Sequence, residues 1–228
     1  MRDTSGKVLR IVAIILMALT AAMNIIGGAG TSCAAFATAK FPPFRSILDY
    51  AWLYQGFVIT SVLTGMAGVW ATYALLRGKS KAYRNTLIVL VVGSLIAAAH
   101  FIASTTLRGA ATPANVKMYI NLFTLAVFLL LGLPGMKERV NFEGNDGGGK
   151  QAAAGLAALV VGLVTLATPM WAGPSHTFDG INLSLAFPVA LLLPGALLTL
   201  GGLGILCWTV VRSVPENRVL RSESSVAH

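Results

Sequence analysis

Six long apolar runs in this chain carry no Asp, Glu, Lys or Arg apart from Arg10 at the edge of the first, and no other feature constrains the fold as strongly. A charge at the centre of a bilayer costs about 3 kcal/mol or more, so charge-free runs are what a hydrocarbon solvent demands. A helix built for water would instead carry charge along one face. The chain is 11% charged, against about 25% for soluble domains. Its net charge of +9 is dispersed in short groups between the apolar runs. That is the pattern of membrane orientation; a nucleic-acid partner, which needs a basic stripe, is excluded.

A helix rises about 1.5 Å per residue, so crossing the hydrocarbon takes roughly twenty apolar residues. Segments 8–26, 51–76, 85–104, 118–133, 152–172 and 187–211 meet that length or approach it. They are too long and continuous for barrel strands. The expected fold is therefore an all-α integral membrane protein, a six-transmembrane-helix bundle. Lys and Arg number thirteen in the tails and loops on one side and four (Lys40, Arg45, Arg108 and Lys117) on the other. This asymmetry predicts that the N-terminus and C-terminus are both cytoplasmic, with the plasma membrane as the location.

Consecutive glycines keep maximal backbone freedom, so 144–150 reads as a flexible cytoplasmic loop. It separates a four-helix part, 1–143, from a two-helix part with its tail, 151–228. Leu63–Arg77 can be laid on Leu198–Arg212, but the preceding helices do not follow the same offset and no repeat is established. The basic start and the small residues Ala37–Ala39 resemble a secretory signal. The apolar region is as long as a full span, however, and a retained first helix is expected.

Polar residues gather at the outer ends of the spans. Asn24, Gln55, His100 and Asn121 are the candidate ligand-binding residues, an outward-facing polar pocket between helices. The competing reading makes the same side chains interhelical glue. His100 is expected to be the one ionisable side chain inside the membrane, turned towards Asn24, Gln55 or Asn121. Cys33 and His176 are a candidate metal pair, since sulfur and imidazole together suit copper. Cys207 reads as packed in the bundle, and Tyr50, Trp52, Tyr54 and Trp171 as interfacial anchors. Pro188, Pro194 and the glycines of the sixth span allow either a kinked, site-lining helix or close helix packing.

No lysine lies in the predicted spans, which excludes a retinal-type Schiff base. No spanning carboxylate, histidine box, HExxH, GxSxG or phosphate loop is present. Nothing specifies a cofactor. Three readings follow. The first is a non-catalytic accessory or structural subunit, with the lipid bilayer and other membrane subunits, or itself, as partners. The second is a small transporter or channel. The third is an outer-face redox or metal-dependent enzyme.

Overall fold

Apolar sequence becomes helix in six places, each long and apolar enough to cross a membrane. The computed structural model describes residues 4–143, 147–178, 180–185 and 188–213. The long helices are α1 (Thr4–Phe36), α2 (Ala51–Arg77), α3 (Ala82–Arg108), α4 (Ala114–Leu131), α6 (Gly147–Leu166) and α8 (Pro188–Ser213). Short helices α5 (Met136–Val140) and α7 (Thr168–Trp171) lie between them, and a two-residue hairpin pairs β1 (Thr177–Phe178) with β2 (Ile181–Asn182).

Successive long helices run antiparallel. At one end, called lower here, Arg10 donates to the Asn141 and Phe142 carbonyls, and Lys150 reaches the Arg77 carbonyl. At the upper end Gln55 donates to Ala35 O, and the His176 ring meets Gly30 O. Glycines in the left-handed conformation stop two helices: Gly78 (φ 63°) closes α2 and Gly109 (φ 65°) closes α3.

Boundaries differ from expectation where tertiary packing decides them. α1 continues through Gly27–Gly30 because these glycines make a helix contact, not a turn. A Cβ on Gly28 would lie 3.2 Å from Ser61 Cβ of α2. α4 begins at Ala114 and therefore contains Lys117, which the sequence assigns to a loop. This overturns the expectation that no lysine lies in a span. The described part of 144–150 is also not loop: residues 147–150 form the first turn of α6, and 144–146 lie outside the described residues.

The interior of α1–α4 is layered. Its lower half is an apolar core of Ile14, Met17, Leu75, Leu90 and Phe128. Beneath it, Tyr83, Phe128 and Phe142 stack, and Tyr83 donates to Phe128 O at 2.7 Å. The upper end is closed by Phe44, Ile47, Tyr54 and Phe57, the first two from a 3-10 segment, Pro42–Tyr50. Between these apolar layers lies a polar one. Outside the four-helix group, α6 packs on α1 and carries α8 on its other side.

Candidate functional site

On α4, Lys117, Asn121, Thr124 and Phe128 recur at helical spacing and all point inward. The same logic turns Thr20 and Asn24 of α1, Ser61 and Thr64 of α2, and Ser94, Ala97, His100 and Ser104 of α3 into the bundle. The polar layer is thus built from one stripe of each helix.

Its members bond across helices. Thr20 and Thr124 share a hydroxyl–hydroxyl bond of 2.7 Å. One turn higher, Asn24 and Asn121 exchange amide bonds of 3.2 and 3.3 Å, and each amide also donates to the carbonyl four residues earlier. One turn higher again is Lys117, only 2% exposed. Its Nζ donates to Ser61 Oγ at 2.5 Å and lies 3.0 Å from His100 Nδ1. Lys117 has no carboxylate partner among the described residues. Its aliphatic stem lies beside Gly27, whose Cβ, were there one, would be 3.4 Å from Lys117 Cδ.

His100 stacks on Phe57 (4.5 Å between centroids, 15° between planes) and meets Tyr54 edge-on at 5.8 Å. An ammonium is donor-only, so the Lys117 contact assigns the lone pair to Nδ1 and the N–H to Nε2. Among the described residues, four buried polar atoms have no hydrogen-bond partner: His100 Nε2, Tyr54 Oη, Ser104 Oγ and Ser94 Oγ. Such groups are uncommon in folded proteins and mark places where the bundle is not self-sufficient. Arg108, two turns above His100, donates to Thr112 O at 3.1 Å and lies 5.3 Å from the Phe44 ring centroid.

Beside this layer runs a cleft of about 830 Å³ between α1, α2, α4 and the α6–α8 pair. Its wall is apolar even where the residues are not. Thr165, Thr168 and Trp171 spend their polar atoms on the carbonyls of Val161 and Val164. Lys117 and Gly27 are part of the wall, so the cleft reaches the edge of the polar layer.

Three of the four candidate ligand residues, Asn24, His100 and Asn121, are thus brought into one network. Gln55 is not; it bonds the end of α1 instead. His100 faces the bundle as expected, but its partner is Lys117, not an amide. It does not line the cleft described above, and aromatic side chains cap the layer over it. Cys33 and His176 both line the cleft near its upper end. The two imidazole nitrogens lie 3.0 Å from Ala172 O and 3.3 Å from Gly30 O. Among the described residues no three His, Cys, Asp or Glu side chains gather as a metal site.

Two smaller expectations are corrected. Tyr54 is buried, not an interfacial anchor, because its ring fills the cap over His100. Cys207 is exposed on α8, because α8 turns glycines towards α6. Sequence reasoning missed Lys117 and Ser61, and took Tyr54 for an anchor. The signal that finds Lys117 is its spacing of four and seven from Asn121 and Thr124. Compared with known proteins, the chain matches no family model, and neither a curated protein nor a solved structure matches it.

Proposed function

We propose that this is a multi-pass membrane protein of the plasma membrane that binds a small ligand in the polar layer of α1–α4, as a transporter or a ligand-binding membrane protein does. The observation that carries this reading is Lys117, an amine buried without a carboxylate partner among the described residues and adjoining side chains whose hydrogen-bonding capacity is unspent. Polar groups inside a membrane that serve only as glue are satisfied by one another. A buried, uncompensated cation is expensive and is the mark of a site. The cleft provides the approach, and Lys117 is common to both.

Both termini are cytoplasmic in this reading. With Lys117 inside a span, the basic asymmetry sharpens to thirteen against three. Reporter fusions after Lys81 and Lys137 are expected to read cytoplasm, and fusions at Arg45 and His176 the exterior. The reverse pattern would invert the site.

The test of binding is native mass spectrometry of protein extracted gently from its own membranes. A bound small molecule is expected in the wild type and is expected to be lost in His100→Phe. A second reading, an accessory subunit, is favoured by α8, where Gly201 and Gly204 face open space and large apolar side chains such as Leu197 and Leu200 are exposed. Stoichiometric protein partners with no bound small molecule would favour that reading and sink the first.

A further inference from the structure

We propose that the group recognised at the polar layer is a small oxyanion, a carboxylate or a phosphate, engaged by Lys117 where it borders the cleft, with His100 positioning its ammonium. The proposal rests on the ligand-binding reading above and specifies its chemistry.

The balance of donors and acceptors decides that chemistry. A lysine ammonium carries three N–H groups and no acceptor. Ser61 Oγ takes one and His100 Nδ1 takes a second, leaving the third unspent. With Nδ1 occupied as an acceptor, His100 Nε2 carries a hydrogen, and it has no partner. Tyr54 Oη and Ser104 Oγ add two hydroxyls in the same condition, each on a fully buried residue next to His100 in space or along α3. The amide oxygens of Asn24 and Asn121 each accept one N–H from the other. Lys117 therefore keeps a charged N–H that no described carboxylate or carbonyl takes up. A neutral polar ligand accepts that N–H but leaves the charge unpaired. An oxyanion brings only acceptors and also supplies the negative charge that Lys117 lacks.

Charge around the layer agrees. Arg108 stands two turns above His100 on α3, and neither it nor Lys117 pairs with a described carboxylate. A structural ion pair would place Asp or Glu here. The described acidic residues, Asp49, Glu138 and Glu143, are all exposed. The oxyanion has two possible sources, the headgroup of an anionic lipid entering by the apolar cleft or a free solute. Both present the same chemistry to Lys117.

The experiment uses the full chain. In an uncharged maltoside detergent, thermal midpoints are measured against sodium phosphate and sodium acetate, with sodium chloride at matched ionic strength as reference. In parallel, they are measured in phosphatidylcholine nanodiscs with and without phosphatidylglycerol. A saturable rise is expected with phosphate or acetate, or with phosphatidylglycerol. The first pattern identifies a free anion and the second a lipid headgroup. Lys117→Met is expected to weaken the fitted affinity on the order of tenfold to a hundredfold, the worth of one charge-assisted bond. Lys117→Arg is expected to keep most of it, and Lys40→Met, an exposed cation at the same end, all of it. If Lys117→Met does not fold, His100→Gln replaces it, with weakened binding expected.

The same response in Lys117→Met and wild type, or in His100→Gln and wild type where Lys117→Met does not fold, would overturn the proposal. So would the lack of a saturable response to any of these anions. The ligand-binding reading would survive that result if mass spectrometry still found an uncharged compound that His100→Phe loses. With no compound and no response, both fall.

Discussion

The α1–α4 bundle and the α6–α8 pair solve the same problem, holding uncharged helices together, in opposite ways. In the bundle, side chains reach across: threonine to threonine, asparagine to asparagine, lysine to serine and histidine. In the pair, backbones approach directly. Among the described residues of α8 only Gly195 and Gly202 are buried, and they face Gly162 and Gly155 of α6. The two glycines of each helix are seven residues apart, so two turns of one helix match two turns of the other. The hydroxyls of Thr199 and Thr209 bond their own helix, to Gly195 O and Ile205 O. Close backbone packing makes an interface without chemistry. Cross-helix polar bonds make one that a ligand can enter into, and among the described residues only the bundle contains orphaned donors.

The largest expected effect is on the glycine interface. A Cβ on Gly202 would lie 2.7 Å from Gly155 O and 2.6 Å from Leu159 N, both backbone atoms that cannot step aside. Gly202→Val is expected to destabilise by about 3 kcal/mol or more through overpacking. The check is loss of the monodisperse peak on size-exclusion chromatography and a lowered thermal midpoint. Gly204→Ala, in open space on the same helix, is expected to change neither. Equal tolerance at both positions would mean that α8 does not depend on this packing.

Next in size are the polar-layer variants, which separate a site from a strut. Asn121→Leu leaves the Asn24 amide without its cross-helix partner and is expected to cost about 1–3 kcal/mol. The double variant with Asn24→Leu is expected to regain part of this, because no orphan remains. Lys117→Met is expected to be neutral or stabilising in the absence of ligand, since it removes a buried cation that no described carboxylate offsets. A strong loss of stability there, in ligand-free protein, would make Lys117 a strut. Thermal midpoints of the three variants in one detergent decide between the outcomes.

Much of this is legible in residue order. Hydrocarbon excludes charge at every depth, so the spans are marked along their whole length. Asn24, His100 and Asn121 stand out because a polar side chain within an apolar run needs a partner from another helix or from a ligand. Lys117 does not, because Pro113 and Asn115 precede it and a charge beside such residues reads as loop. Its burial depends on α2 and α3 supplying Ser61 and His100, which no local pattern reports. The glycines of α1 mislead for a related reason. Gly27–Gly30 resembles a turn until α2 and α4 lie against it. Cys33 and His176 share one cleft although 143 positions separate them, a proximity created by the antiparallel docking of α6 on α1.

The smallest effect is the cleanest comparison, because it makes one chemical change in both regions. Replacing threonine by valine swaps a hydroxyl for a methyl group at nearly constant shape. Thr124 is fully buried, and its hydroxyl bonds Thr20 of α1. Thr20 also donates to Leu16 O at 2.8 Å, so losing Thr124 does not orphan it. The cost is then that of one interhelical bond in a membrane protein, about 0.6 kcal/mol. Thr209 bonds Ile205 O of its own helix, whose backbone bond survives the substitution. Thr209→Val is expected to leave stability unchanged within measurement. Reversible unfolding in mixed micelles, run on both variants in parallel, resolves a difference of this size. If the two variants lose the same amount, cross-helix hydroxyl bonding does not distinguish the bundle from the pair. The contrast would then rest on the glycine contacts and the buried lysine alone.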